Sequence, residues 1–117
     1  MTHTISKAFA FSASHTLTGL REGHPCSRLH GHNYVVTLEL SGPLNAAGMV
    51  VDYGELASFS SWLDDTLDHR HLNEVFALNP TAERLAMWIA LQHEGDLPQL
   101  VAVTVSETPK TTARYEL

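Results

Sequence analysis

The sequence predicts an α+β fold in which two helices cover one face of an antiparallel sheet. Two stretches near the start, residues 4–15 and 32–41, alternate apolar and polar side chains, as half-buried strands do. Two stretches in the middle, residues 53–67 and 79–93, repeat apolar residues at helical spacing. The chain ends with "LVAVTVSE" and "TARYEL" around "TPKT", which predicts a hairpin. The predicted element order is therefore ββααββ.

The parity of the two early strands predicts which face is buried. In the first strand, the apolar parity ends on a histidine and comprises Ile5, Phe9, Phe11, Ala13 and His15. In the second strand, the apolar parity runs from Tyr34 to Leu40, and extending its register backwards adds His30 and His32. The loop between the strands, residues 16–29, contains Gly19, Gly23 and Pro25.

The two helices are predicted from caps and apolar stripes. Asp52 and Glu55 have the spacing of a capping box, with Asp in place of Ser or Thr. The first stripe is Leu56, Phe59, Leu63 and Leu67. The second helix is predicted to begin with Pro80 in its first turn and to carry the stripe Leu85, Trp88, Ile89 and Gln92. The stretch between the helices, "DHRHLNEVFALN", is predicted to be a loop.

Bulk properties exclude several classes of protein. The 117 residues predict one domain, 1–117, with a core of its own. A net charge of -6 with seven scattered basic residues disfavours a general nucleic-acid binder. The single cysteine excludes a disulfide within the chain and is compatible with a reducing compartment. No signal peptide or apolar run of about 18 residues is present, so we expect a soluble cytoplasmic protein that binds no membrane.

Three of the eight histidines predict a metal site. His15, His30 and His32 share the buried parity of two neighbouring strands and should converge at one end of the sheet. Three imidazoles with an open fourth position are typical of a catalytic zinc site, whereas structural sites have four ligands and favour Cys. Each histidine alone would more often be a solvated or hydrogen-bonded strand-end residue. The three together favour metal binding.

Four further residues are candidates for chemistry. Cys26 lies in a loop beside the predicted cation, which would favour its thiolate form. We rank a general base as its first role and a fourth metal ligand as its second. The alternative is an inert, buried thiol. Asp68 and His69 are spaced for a proton relay, although a histidine near a helix end is equally common and His71 could take the role. Glu107 ends an apolar strand face, where a carboxylate could accept a guanidine-like N–H pair or simply face solvent.

Six motifs follow one another along the chain: "FSASH", "C-x-x-x-HGHNY", "VVDYGEL", "LDHRHLN", "NPTAERLA" and "VSETPKTTARY". As an ordered set, they resemble the 6-pyruvoyl-tetrahydropterin and 6-carboxytetrahydropterin synthase family. The resemblance implies the tunnelling fold, whose ββααββ subunits join edge to edge into barrels, as a homo-oligomer (a hexamer) with active sites between subunits. It implies Zn²⁺ on the three histidines, Cys26 as catalytic cysteine, Asp68 and His69 as a relay pair acting on a neighbouring subunit, and Glu107 as the anchor of the pterin ring.

The spacing "CSRLHGH" resembles the carboxytetrahydropterin synthases of queuosine (7-deazapurine) biosynthesis. The resemblance then implies conversion of 7,8-dihydroneopterin triphosphate to 6-carboxytetrahydropterin, acetaldehyde and triphosphate. The rival within the family is 6-pyruvoyl-tetrahydropterin synthesis, in which triphosphate leaves without side-chain cleavage. A non-catalytic zinc-dependent pterin-binding protein and a structural zinc domain rank lower. Candidates for the triphosphate contacts rest on charge alone: Lys7, Arg21, Arg28, Lys110 and Arg114.

Overall fold

The computed structural model describes residues 2–117, and its elements follow the predicted order with two additions. The four long strands are β1 His3–His15, β2 His30–Gly42, β4 Leu100–Thr108 and β5 Thr111–Glu116. The two long helices are α1 Ala57–Thr66 and α3 Ala82–His93. The additions lie in the stretch predicted as a loop between the helices: a two-residue strand, β3 Arg70–His71, and one helical turn, α2 Leu72–Val75.

Both long helices begin differently from the prediction. The first starts as a 3-10 turn, Tyr53–Leu56, because Asp52 accepts a hydrogen bond from the N–H of Gly54 at 2.8 Å and closes a tighter turn than a capping box would. The second is capped by Thr81, whose hydroxyl accepts from the N–H of Arg84 at 3.2 Å. Pro80 therefore precedes the cap. No helix within residues 2–117 combines the length and the apolar character needed to cross a membrane.

The sheet has the strand order β3-β1-β2-β4-β5. β1 and β2 pair antiparallel along their whole length, from His3 opposite Gly42 to His15 opposite His30. β3 pairs in parallel with β1 at residues 13–14 only, so the sheet is mixed rather than purely antiparallel as predicted. Within residues 2–117, most of β1 and all of the outer side of β5 remain open edges.

The core lies between the helices and one face of the sheet. The residues of β2 on the predicted buried parity, from Tyr34 to Leu40, are fully buried, and so are Phe59 of α1 and Ile89 of α3. Their alternate neighbours on β2 are half-buried or exposed. The predicted parity is thus confirmed, and it places the histidines that precede Tyr34 at the end of this buried face.

His93 is a second buried histidine, and it belongs to α3 rather than to β1 or β2. His93 is the last residue of α3, and its ring packs edge-on against Phe59 and Trp62, with centroids 4.9 Å and 4.4 Å away. Its Nε2 is buried and has no hydrogen-bond partner among the residues that the structure describes. Burial lowers the pKa of His93 below its ordinary value, and the charge of Asp96 opposes that shift.

We expect His93 to make the protein less stable in mild acid. The unfolded chain accepts a proton on this ring near its ordinary pKa of 6.5, whereas the folded state resists it. The contribution is therefore complete above that pH and is lost as the pH falls below it. Urea unfolding between about pH 7.5 and about pH 5 should show a smaller fall in the free energy of unfolding for His93→Leu than for the wild type. His3→Leu, at an exposed ring, is the control, and an unaltered pH dependence in His93→Leu would contradict the expectation.

Candidate functional site

Three histidine rings converge where β1 ends and β2 begins. The register pairs His15 with His30 and Ala13 with His32. One ring nitrogen from each of the three histidines lies within 4.8 Å of the other two. His15 is fully buried, and His30 and His32 are half-buried. The convergence expected from strand parity is therefore present, and these residues could hold a metal ion.

Backbone carbonyls fix the orientation of two of these rings. Nδ1 of His15 lies 2.9 Å from the carbonyl oxygen of Pro80, and Nδ1 of His30 lies 2.7 Å from that of Arg28. A carbonyl oxygen can only accept, so each Nδ1 must carry the proton and donate it. In the neutral rings, Nε2 then presents a lone pair, which is the state required of a metal ligand.

These two lone pairs face each other. Nε2 of His15 and Nε2 of His30 are 2.8 Å apart. Two neutral acceptors at that distance repel, so the pair needs a shared proton or a cation. A proton is disfavoured because burial lowers the pKa of His15. A metal cation resolves the conflict without protonating a buried ring.

The third ring supplies an independent indication. Nε2 of His32 is buried and has no hydrogen-bond partner within residues 2–117. Three nitrogens bound to one zinc at about 2.0–2.1 Å in tetrahedral geometry would lie about 3.4 Å from one another. That separation lies between the 2.8 Å of the His15–His30 pair and the 4.8 Å within which all three nitrogens are found. The donor set, three imidazoles from neighbouring strands, therefore fits a Zn²⁺ ion and leaves its fourth position open.

A carboxylate and a phenol border the cluster. Oε2 of Glu107, from the end of β4, is 3.8 Å from Nε2 of His32. The hydroxyl of Tyr34 lies 3.2 Å from Nδ1 of His15, and burial raises the pKa of this phenol, with the charge of Glu107 adding to the effect. Glu107 thus lies beside the histidine cluster, whereas the strand parity had predicted only that it ends an apolar strand face. Its side chain is about one quarter exposed and can accept from a ligand.

Cys26 sits in a short 3-10 turn, Pro25–Ser27, inside the loop between β1 and β2. Its N–H donates to Nδ1 of His24 at 3.0 Å, and its side chain is half-buried. The thiol does not belong to the group of ligand atoms that lie within 4.8 Å of one another. The geometry therefore does not support Cys26 as a fourth ligand.

Asp68 and His69 form a hydrogen-bonded pair at the edge of the sheet. Nδ1 of His69 is 2.9 Å from the Asp68 carboxylate, which also accepts from the N–H of Ser12 at 2.9 Å. The Ser12 bond, followed by the His69 bond, lowers the pKa of the Asp68 carboxyl. Within residues 2–117, neither residue bonds to the three histidines. The ring of His69 is largely exposed and is free to face another molecule.

His69 has a backbone conformation that is unusual for its type. Its φ of 59° is in the left-handed region, and it is the one such non-glycine residue described. The N–H of His69 donates to the carbonyl of Ser12 at 2.6 Å, which holds the backbone there. Left-handed geometry costs a non-glycine residue about 1–2 kcal/mol, and such cost is found at functional sites.

Several site features were not predicted from the sequence. The carbonyls of Arg28 and Pro80 and the hydroxyl of Tyr34 hold the histidines, but backbone acceptors leave no mark in a sequence pattern. One predicted candidate is already engaged: Arg114 is paired with Glu39 and Glu116, and these bonds raise its pKa. Its charge is thus largely neutralised before any phosphate binds.

The family model for 6-pyruvoyl tetrahydropterin synthase matches residues 4–117. The chain belongs to this family. A Haemophilus influenzae 6-carboxy-5,6,7,8-tetrahydropterin synthase is 29% identical over 140 aligned residues, which cover 96% of this chain and 97% of the relative. A relative in Archaeoglobus fulgidus, provisionally named as the same enzyme, is 35% identical over 85 residues, covering 73% of this chain and 70% of that protein.

The solved structure of Caenorhabditis elegans 6-pyruvoyl tetrahydropterin synthase has the same fold. It superposes with a TM-score of 0.88 at 30% identity and covers all of this chain and 96% of that one. The expected tunnelling fold, a sheet with its helices on one face, is thereby confirmed. Family membership supports a pterin synthase activity, while relatives bearing both the carboxy and the pyruvoyl names are similar to this chain.

We expect the loss of one cluster histidine to weaken zinc binding sharply. Changes to groups that merely support a ligand cost roughly 10–100-fold in metal affinity, so His30→Ala should cost more than about 100-fold. Competition with a chromogenic chelator measures the affinity directly. His3→Ala, at the far end of β1, should bind zinc like the wild type. Equal affinities for wild type and His30→Ala would contradict the assignment of the cluster.

Proposed function

We propose that this chain is a zinc-dependent 6-carboxy-5,6,7,8-tetrahydropterin synthase. It would convert 7,8-dihydroneopterin triphosphate and water into 6-carboxytetrahydropterin, acetaldehyde and triphosphate, a lyase reaction in cytoplasmic queuosine biosynthesis. The observation that carries the proposal is the trio of metal-competent histidines with Glu107 at its border, together with Cys26, which three intervening residues separate from "HGH". The similarity to two carboxytetrahydropterin synthases supports it.

Glu107 would hold the pterin ring at a fixed distance from the histidines. Its two carboxylate oxygens match a neighbouring N–H and NH₂ on the ring, as they match a guanidinium group. Because Glu107 lies beside His32, a ring anchored there extends its side chain over the cluster. Such anchoring supplies orientation, so that the groups that move protons meet the same carbon in each turnover.

His15, His30 and His32 would hold the zinc ion. When bound there, zinc supplies Lewis acidity toward the side-chain oxygens of the substrate. Cys26, as thiolate, would take a proton from a side-chain carbon, and the imidazole of His69 would give and receive protons while Asp68 supports its charged form. Triphosphate leaves by elimination, and cleavage of the remaining side chain yields acetaldehyde.

The position of the relay pair supports a homo-oligomeric enzyme. His69 faces outward from the edge of the sheet and bonds to Asp68 rather than to the cluster of its own chain. The open edges of β1 and β5 offer pairing surfaces for further copies. The radius of gyration, 15.4 Å, exceeds the roughly 13 Å expected for a compact chain of this length. We propose that another copy supplies Asp68 and His69 to each site, in a hexamer.

The alternative product is 6-pyruvoyl-tetrahydropterin, which the similarity to the Caenorhabditis elegans enzyme favours. Product analysis decides between the two. Zinc-loaded protein is incubated with 7,8-dihydroneopterin triphosphate, and acetaldehyde and the reduced pterin are assayed together. We expect acetaldehyde and 6-carboxytetrahydropterin in equal amounts. A pyruvoyl product without acetaldehyde would overturn the carboxy assignment, and tight pterin binding without turnover would favour a non-catalytic binding protein.

Cys26→Ala should show whether the thiol acts as a general base or as a metal ligand, because it should lower turnover without lowering the zinc content. We expect the variant to retain one zinc per chain, because three histidines suffice, and to lose turnover by about 10²–10⁴-fold, because general-base catalysis contributes on that scale. Metal analysis and acetaldehyde release measure the two properties. Full activity in the variant would contradict the role of the thiol. Loss of zinc together with unfolding would indicate a structural zinc site with Cys26 as a ligand.

A further inference from the structure

Two asparagine side chains hold the start of the loop that carries Cys26. Oδ1 of Asn73 accepts from the N–H of Thr16 at 2.8 Å, and its Nδ2 donates to the carbonyl of Thr16 at 2.8 Å. Asn79 repeats the arrangement on Thr18, with distances of 2.9 Å and 2.8 Å. Each amide satisfies both backbone groups of one residue, as a neighbouring strand would.

The residue between these two links the same segment to Cys26. The N–H of Leu17 donates to the carbonyl of Cys26 at 3.1 Å. Thr16 and Thr18 are therefore hydrogen-bonded to the two asparagines, and Leu17 between them is hydrogen-bonded to Cys26. The hydrogen bonds of residues 19–27 all stay within the loop. The two asparagines are thus the anchors that connect this loop to the rest of the chain ahead of β2.

The asparagine segment also holds a metal ligand. Pro80 directly follows Asn79, and its carbonyl accepts from Nδ1 of His15. Residues 73–80 therefore fix two things at once, the ring of His15 and the backbone that leads to Cys26. A displacement of this segment would move the thiol and the histidines relative to each other.

We propose that Asn73 and Asn79 are positioning residues that fix the Cys26 thiol relative to the three histidines. The proposal rests on the proposed function, in which the thiol removes a proton from the substrate. Proton transfer needs donor and acceptor within hydrogen-bond reach, and a misplacement of about 1 Å can cost about 100-fold in rate. Gly19 and Gly23, both with positive φ, have no side chain that could take over the contacts of the two amides.

The thiol itself provides the readout, because Cys26 is the single cysteine of the chain. Alkylation of zinc-loaded protein by iodoacetamide therefore reports on this side chain alone. The variants are Asn79→Ala, the double variant Asn73→Ala/Asn79→Ala, and Asn79→Asp, which keeps the acceptor for the Thr18 N–H but sets a carboxylate against its carbonyl. The matched control is Asn45→Ala. Asn45 also accepts two backbone N–H bonds in a turn, but beyond the opposite end of β2.

We expect the Asn79 variants to keep their zinc and their circular dichroism, and to alkylate about tenfold faster than the wild type. With 7,8-dihydroneopterin triphosphate, kcat should fall by about 10–100-fold while KM stays within about threefold, since Glu107 and the metal are untouched. A merely structural role would lower stability without this separation of kcat from KM. Asn45→Ala should match the wild type in every measurement.

Alkylation rates within about twofold of the wild type in all three variants would overturn the proposal, whatever their activity. Faster alkylation with undiminished kcat would overturn the catalytic consequence. Should the wild type itself not turn over this substrate, the proposed function fails, and the alkylation comparison still decides whether the asparagines hold the thiol. If the double variant does not fold, the two single variants, Asn79→Ala and Asn79→Asp, carry the test.

Discussion

The register between β1 and β2 is the constraint on which the rest of the site depends. Side chains alternate between the two faces of a sheet, so a slip of one residue would send His30 and His32 to the face opposite His15. The buried run from Tyr34 to Leu40 prevents such a slip, because it would expose the whole apolar face of β2. The hydrophobic core in the middle of the sheet therefore determines the chemistry at its end.

The protonation of the histidine rings then determines which ligand this end of the sheet can bind. Backbone carbonyls commit the Nδ1 protons of His15 and His30, and the remaining lone pairs face each other in a site where a proton is disfavoured. A cation bound between the two rings would relieve the repulsion of their lone pairs. The core that supports the two strands is large and apolar and keeps the rings in place.

The sequence predicted the parts of this molecule that follow from periodicity. The convergence of His15, His30 and His32 required only strand parity, and the same rule on β4 placed Glu107 at the end of an apolar strand face. It did not predict β3, the short helix α2 or the true cap of α3, because tertiary contacts rather than local propensity stabilise one-turn and two-residue elements. Nor could it predict Pro80 as a partner of His15, since a backbone carbonyl has no residue-specific signature.

The left-handed backbone of His69 limits how this position can evolve. Glycine would relieve the conformational cost but would remove the ring, and Asn or Asp, the other residues that tolerate this geometry, have no group whose ordinary pKa is near neutral. A β-branched side chain would be excluded sterically before any question of activity arose. Histidine thus satisfies both the backbone conformation and the proposed proton relay. If a descendant lost such a relay, glycine or asparagine should replace histidine at this turn rather than an arbitrary residue.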